Sequence, residues 1–261
     1  MPCYRTARFL EATIARIPWK ELPPLRYRLL CVDNASPDDT WEVIQRAVGT
    51  LREQGHDVDA IRNPRNLNYG GSVKVAFRYC TANNFGLMIV LHSDGQYAPE
   101  LLPWLISEFV VGDDALLFGS RLAGDALAGG MPAYKYYANH ALTWLQNAAL
   151  GTRFSELHSG LRLYRVNRVV RLPYEANTDF FNFDNHITFQ ILKAGWTVGE
   201  RPIPTYYGEE KSYVHLFRTP LGLVTNVLLY MAHNLGFVRI PRYDIDPRQH
   251  GLAPRGQSAR P

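Results

Sequence analysis

The sequence predicts an α/β fold, a mostly parallel sheet with helices on both faces. Three observations carry this. Short apolar runs alternate with segments of helical period through roughly the first 120 residues. Strand-to-strand crossovers through helices favour parallel pairing. All four apolar runs end in polar residues, at Asp33, Asn63, Asp94 and Ser120-Arg121. In such folds the functional loops gather at the carboxyl ends of the strands.

Residues 7–17 have helical spacing, with Leu10, Ile14 and Ile17 on one face. Residues 27–33 (YRLLCVD) read as a buried strand. Asp38, Asp39 and Thr40 then open a helix with acid near its positive end. Residues 58–63 form a second strand, 72–82 a helix, and 87–94 a third strand, the most apolar. A helix over 99–111 and a fourth strand over 114–121 follow. The second half is less regular: a helix over 134–150, a turn and strand over 157–166, a helix over 184–194 and a Pro-punctuated strand over 198–207. Residues 221–238 form a buried or interfacial helix. From residue 241 the chain is rich in Pro, Arg and Gly without apolar period, which predicts a flexible tail over 241–261.

The 261 residues are 46% hydrophobic and 20% charged, which excludes wholesale disorder, collagen and a disulfide-rich mini-protein. Lys and Arg number 28 against 24 Asp and Glu, a net charge of +4. That mild excess suits anionic partners such as phosphates or lipid headgroups. The basic residues are scattered and no base-reading motif occurs, so nucleic acid is not expected. Cys3, Cys31 and Cys80 form no CxxC pair and read as reduced, mostly buried thiols of a cytosolic protein. No secretory signal is visible, and no apolar run reaches the ~18 residues of a membrane span.

Seven constellations could carry chemistry. His92, Asp94 and Gln96 alternate at a strand end, where a carboxylate reaches a divalent cation or simply closes a turn. Asp33 suits a ribose or base edge, or an Asx turn. Asn66 to Ser72, with Gly70 and Gly71, suits an anion at a helix start, or plain turn geometry. Arg121 and Lys135 could neutralise a diphosphate, or be surface cations. Glu156 to Arg162 is a polar turn containing His158 and Ser159. Asp184 is a general base or a helix-start charge. Lys211 and Ser212 lie in a polar loop after the last strand.

Asp33-Asn-Ala-Ser-Pro-Asp-Asp-Thr, Asn66-Leu-Asn-Tyr-Gly-Gly, Asp94-Gly-Gln-Tyr, Gly119-Ser-Arg, His158-Ser-Gly-Leu-Arg and Glu200-Arg-Pro-Ile-Pro occur in this order. The ordered set resembles the family 2 glycosyltransferases of GT-A (Rossmann-like) fold, and within them the dolichol- or polyprenyl-phosphate sugar synthases. Each motif is weak alone; the order is specific, and it covers roughly residues 2–215.

The resemblance implies one domain over 1–240: a nucleotide-sugar-binding half (1–122), an acceptor-side half (123–215) and an interfacial or dimer helix (216–240). It implies an inverting displacement from a UDP- or GDP-sugar to a polyprenyl or dolichyl phosphate. Pro2, Tyr4, Asp33, Asp38, Asn66, Gly70 and Lys135 would bind the donor. Asp94, Asp184 and Arg121 would be catalytic, and His158, Ser159, Arg162, Lys211 and Ser212 would face the acceptor. Mg²⁺ or Mn²⁺ would sit on Asp94 and Gln96, with His92 as a third candidate or an orienting group. The enzyme would work in the cytoplasm, touching the membrane peripherally, and could be a homo-oligomer. A hydroxyl acceptor is the alternative; it needs a base, for which Asp184 comes first and His158 and Glu156 next. A non-catalytic nucleotide-sugar-binding paralogue is the reading from another class.

Two departures from the family pattern stand out. Almost nothing precedes Pro2-Cys3-Tyr4-Arg5, so the first strand is expected to be missing, as from a truncated start, and Arg5 replaces an Asn. His92-Ser93-Asp94 stands where the family carries an acidic pair.

Overall fold

The computed structural model describes residues 1–205 and 218–250. The elements run β1 (Pro2–Cys3), α1 (Leu10–Ala15), β2 (Leu29–Asp33), α2 (Thr40–Glu53), β3 (Val58–Arg62), α3 (Asn68–Ala82) and β4 (Leu87–Val90). There follow α4 (Leu102–Val111), β5 (Leu116–Ser120), α5 (Ala133–Leu150), β6 (Arg162–Arg165), α6 (Val166–Val169), α7 (Phe183–Lys193), β7 (Val198–Pro202) and α8 (Arg218–Asn234).

The strands form a parallel sheet, β1-β2-β3, and a four-stranded sheet in the order β4-β6-β5-β7. Strand β6 lies antiparallel between β4 and β5, whereas β5 and β7 are parallel. The sheet is therefore mixed, not mostly parallel as the alternation suggested. The long excursion through α5 returns β6 in the opposite sense, and a short apolar run has the same pattern in either direction.

The first strand, expected to be missing, is present as two residues. Pro2 and Cys3 pair with Val32 and Asp33 of β2. No ladder joins β1 to β4 among the described residues. Side chains bridge the gap: Ser93 Oγ, just past β4, donates to Pro2 O at 2.9 Å and is 3.0 Å from Thr6 Oγ1. An apolar core also spans it, with Cys3, Leu10, Ile44, Leu91, Leu105 and Leu117 in one cluster.

Helix α2 shows how periodicity builds this core. Val43, Ile44, Ala47, Val48 and Leu51 are buried and fall on one helical face. Helix α7 is enclosed on more than one side, with Phe183, Ile187, Phe189 and Ile191 all fully buried. It belongs to a second core with Phe77, Leu116, Phe118 and Tyr164.

Part of the segment expected to be a flexible tail from residue 241 is packed. Pro241–Tyr243 forms a 3-10 turn that buries Tyr243 against Phe189 and Tyr230. Ile245 is buried as well. A lone aromatic and an isoleucine without period give no sequence signal, yet both are buried here, and Gln190 Nε2 also donates to Arg242 O at 2.9 Å. Residues 251–261 lie outside the described residues, as do Lys211 and Ser212. No described helix is long and apolar enough to cross a membrane. In α8, Leu223, Val227 and Tyr230 face the protein, while Leu221, Leu228, Leu229 and Met231 are exposed.

Candidate active site

The strand ends bring His92, Asp94, Arg121 and Asp184 within electrostatic reach of one another. Asp94 closes a turn after β4: its Oδ1 accepts from Gln96 N at 3.1 Å, and Gly95 between them takes a φ of +77°. Asp94 and Gln96 are both half-buried. A carboxylate and an amide oxygen are hard donors that suit Mg²⁺ or Mn²⁺. No group of three His, Cys, Asp or Glu able to hold a metal occurs among the described residues. Mg²⁺ bound through one carboxylate and substrate phosphates needs no such cluster.

His92 is held in an aromatic setting. Its ring lies 5.5 Å from the Tyr69 ring and 5.2 Å from that of Tyr97. Nε2 is buried without a partner, and a Cβ added to Gly160 would stand 2.4 Å from it. The missing side chain of Gly160 is what makes room for the ring. Burial lowers the imidazole pKa despite Asp94 and Asp184 nearby, so the ring is uncharged. Tyr97 is itself fixed: its Oη accepts from Gly160 N at 2.6 Å.

Arg121, expected to face a diphosphate, is bound to Glu156. Its backbone N donates to Glu156 Oε2 at 2.7 Å, its Nε donates to Oε1 at 3.0 Å, and its Nη2 also meets Oε1. Burial raises the Glu156 carboxyl pKa, but the Arg121 charge and hydrogen bonds outweigh it and hold the group below its ordinary value. Glu200 fixes the same turn from β7, accepting from Ser155 N and Glu156 N, each at 3.0 Å. Here Glu156 is the counter-charge of Arg121.

Asp184, in the first turn of α7, is equally engaged. Tyr69 Oη donates to its Oδ2 at 3.0 Å, Tyr164 Oη to its Oδ1 at 3.4 Å, and Arg162 Nε stands 3.5 Å from Oδ2. Burial outweighs the opposing pull of Arg162 and the tyrosines and leaves its pKa raised. Arg162, expected on the acceptor side, is fully buried. It donates to Ser159 O at 2.7 Å, Leu157 O at 2.9 Å and Thr188 Oγ1 at 2.9 Å. It therefore fastens the 157–159 turn to α7. Ser159 is buried, and its Oγ has no partner among the described residues.

Both ring nitrogens of His158 are buried without partners, and burial lowers its pKa to about 4. His186, on α7, is lowered to about 3 by burial and by Arg242 and Lys74. Both are neutral in the folded chain and take up protons near 6.5 once unfolded. Between those values the unfolded state binds more protons. Stability is thus expected to be complete above pH 6.5 and to fall as pH drops toward 4. Urea titrations across that range check this; His158→Gln should flatten the slope.

The donor-side residues divide by role. Asp33 is fully buried at the end of β2; Oδ1 accepts from Ser36 N at 3.2 Å and Oδ2 lies 3.3 Å from Arg62 Nε. Asp38 instead braces α2, its Oδ1 accepting from Thr40 Oγ1 at 2.7 Å. Asn66 ties its own turn, with Oδ1 accepting from Asn34 Nδ2 at 2.9 Å and Asn68 N at 2.8 Å. Gly70 is a packing position: its N donates to Asp179 O at 2.7 Å, and a Cβ there would stand 2.7 Å from Phe183 Cβ. Pro2 and Tyr4 are half-buried, Pro2 O accepting from Ser93 Oγ at 2.9 Å, and Lys135 is half-buried in the first turn of α5. Sequence reasoning missed Tyr69, Tyr97 and Lys74. The Lys74 ammonium donates to Asn177 O, Asp179 Oδ1 and Glu175 O, pinning α3 to the segment before α7. Its position inside a helical motif gives no hint of this.

The model of the family described as "Glycosyl transferase family 2" matches residues 1–169. The chain is 29% identical over 135 residues to a dolichol-phosphate mannosyltransferase of Pyrococcus furiosus, covering 52% of this chain and 36% of that protein. It is 21% identical over 189 residues to a UDP-N-acetylglucosamine–dolichyl-phosphate N-acetylglucosaminyltransferase of Methanococcus voltae, covering 69% and 75%. Its fold is similar to that of glucosyl-3-phosphoglycerate synthase from Mycobacterium tuberculosis in complex with Mn²⁺, UDP and phosphoglyceric acid. The TM-score is 0.62 at 14% identity, over 94% of this chain and 77% of that one.

Proposed function

The chain belongs to glycosyl transferase family 2 and is related to the dolichyl- and polyprenyl-phosphate sugar synthases, and from that premise we propose that it moves a sugar from a UDP- or GDP-sugar to a polyprenyl or dolichyl phosphate. One observation carries the choice of acceptor. Two of the three base candidates are unsuited to remove a proton, since Glu156 is held by Arg121 and the His158 ring is a weak base; the third, Asp184, has a pKa raised by burial but is already engaged by Arg162 and two tyrosines. A sugar hydroxyl needs such a base; a phosphate monoester, with a second pKa of about 6, is already ionised.

In this reading Asp33 faces the nucleoside, and Asp94 and Gln96 would hold Mg²⁺ or Mn²⁺ against the donor diphosphate. When bound, the cation neutralises charge developing on the leaving group. An acceptor phosphate oxygen attacks the anomeric carbon as its bond to the diphosphate breaks, with inversion and no proton transfer. Lys135 and Lys211 are assigned to the phosphates. Arg121, neutral as a pair with Glu156, shapes the turn beside them.

The test is a screen of UDP- and GDP-sugars against a short-chain polyprenyl phosphate with Mn²⁺, products identified by mass. A sugar-phospholipid product is expected, lost on chelation. Product from sugar hydroxyls only would overturn the acceptor; no transfer or donor hydrolysis with any pair would favour a non-catalytic binder.

A further inference from the structure

A cavity of about 540 Å³ lies between α7, α8 and the 241–243 turn. Its floor is Asn177, His186, Asn226 and Arg242; Leu221, Leu229 and Ile240 give it an apolar wall. It is separated from the transfer centre by the first turn of α7. Asp184 there points to Tyr69, Tyr164 and Arg162, whereas Asn182 and His186 line the cavity.

The cavity's chemistry is one-sided. Among the described residues no Asp or Glu lines it, and Arg242 is the one charged lining residue. No described carboxylate stands within ion-pair distance of that guanidinium. Arg242 Nη1 donates to His186 Nδ1 at 2.8 Å, which also receives Thr178 N at 3.2 Å, so the imidazole accepts and adds no charge. Asn226 is 4% exposed; its Oδ1 accepts from Tyr243 Oη, and its Nδ2 is buried without a partner. Asn177 Oδ1 is likewise buried and unpartnered. An unmatched guanidinium and an idle amide donor beside an apolar wall fit an anion with an apolar body, since buried polar groups left unpaired are costly. Guanidinium groups favour phosphate oxygens.

We infer that this cavity binds a phosphate group, held by Arg242 and Asn226 Nδ2, at a site separate from the transfer centre. The ligand is either an anionic lipid headgroup, with its chains over the exposed Leu221 and Leu229, or a free phosphate compound. Asn177 Oδ1 accepts from a hydroxyl of the same ligand.

Two probes test this on the full chain: inorganic phosphate by calorimetry, and flotation with phosphatidylcholine vesicles with and without phosphatidic acid. Arg242→Gln removes the cation, and Thr225→Trp fills the cavity from its exposed rim. Arg239→Gln removes a neighbouring surface charge, 83% exposed, outside the cavity. Arg242→Gln and Thr225→Trp are each expected to weaken binding at least tenfold, with Arg239→Gln unchanged. Binding to phosphatidic acid alone identifies a lipid headgroup; competition by inorganic phosphate identifies a free one. The inference fails if neither probe binds, if Arg239→Gln costs as much as Arg242→Gln, or if Thr225→Trp, folded by circular dichroism, binds unchanged. Should Arg242→Gln not fold, Thr225→Trp decides.

Discussion

Asp94→Asn is expected to lower kcat on the order of 10²–10³-fold, the usual effect of losing one group aimed at developing charge. Unfolding free energy should stay within about 0.5 kcal/mol of the parent, as for substitutions that disturb no buried contact. The two outcomes separate because the substitution does. Asparagine keeps the Oδ1 that accepts from Gln96 N, so the turn survives. It loses the charge that would hold the cation. Asp94 stands half-buried and in no ion pair among the described residues, so nothing buried is left unmatched. Turnover at saturating donor and Mn²⁺, alongside urea unfolding, checks both halves. A variant that transfers at the parental rate would remove Asp94 from the leaving-group site. One that loses rate and stability together would make it a structural residue.

The second large effect is in stability. Arg162→Met should cost about 3–5 kcal/mol, the range for breaking a buried pair by removing one partner. Arg162 is fully buried, and its loss strands the Leu157 and Ser159 carbonyls as well as the Asp184 carboxylate. Asp184→Asn should be destabilising too, leaving a buried guanidinium, but it keeps an acceptor for Tyr69. The double variant should lose less than the sum of the two, since each single change leaves the other charge alone. Denaturant midpoints for the three proteins give the coupling. Transfer per folded molecule should fall far less in Asp184→Asn than in Asp94→Asn if the acceptor is a phosphate. Equal, near-complete losses would instead point to a hydroxyl acceptor.

The sheet strands and most helices were legible because apolar period survives in a single sequence, and the Asp94 turn because a polar triplet follows the most apolar strand. Antiparallel β6 was not, since four residues carry no direction. The partners of Arg121, Arg162 and Glu156 were not legible for one physical reason: a charged side chain reads as solvated or functional until its partner is known. Those partners lie 35 residues away for Arg121 and 22 for Arg162. Tyr69 and Tyr97 were passed over because an aromatic ring beside a glycine motif looks like core. Only the geometry shows their hydroxyls holding Asp184 and Gly160.

The packing of His92 against Gly160 couples two positions 68 apart in sequence, where a Cβ at 160 would overlap the imidazole. Neither residue can drift alone: any side chain at 160 expels the ring, and a short acid at 92 leaves a void between Tyr69 and Tyr97. They would have to be exchanged together. Across an alignment of relatives, histidine at the first position with glycine at the second should therefore be inherited as one character. That character would mark the chains in which an imidazole fills the space between Tyr69 and Tyr97.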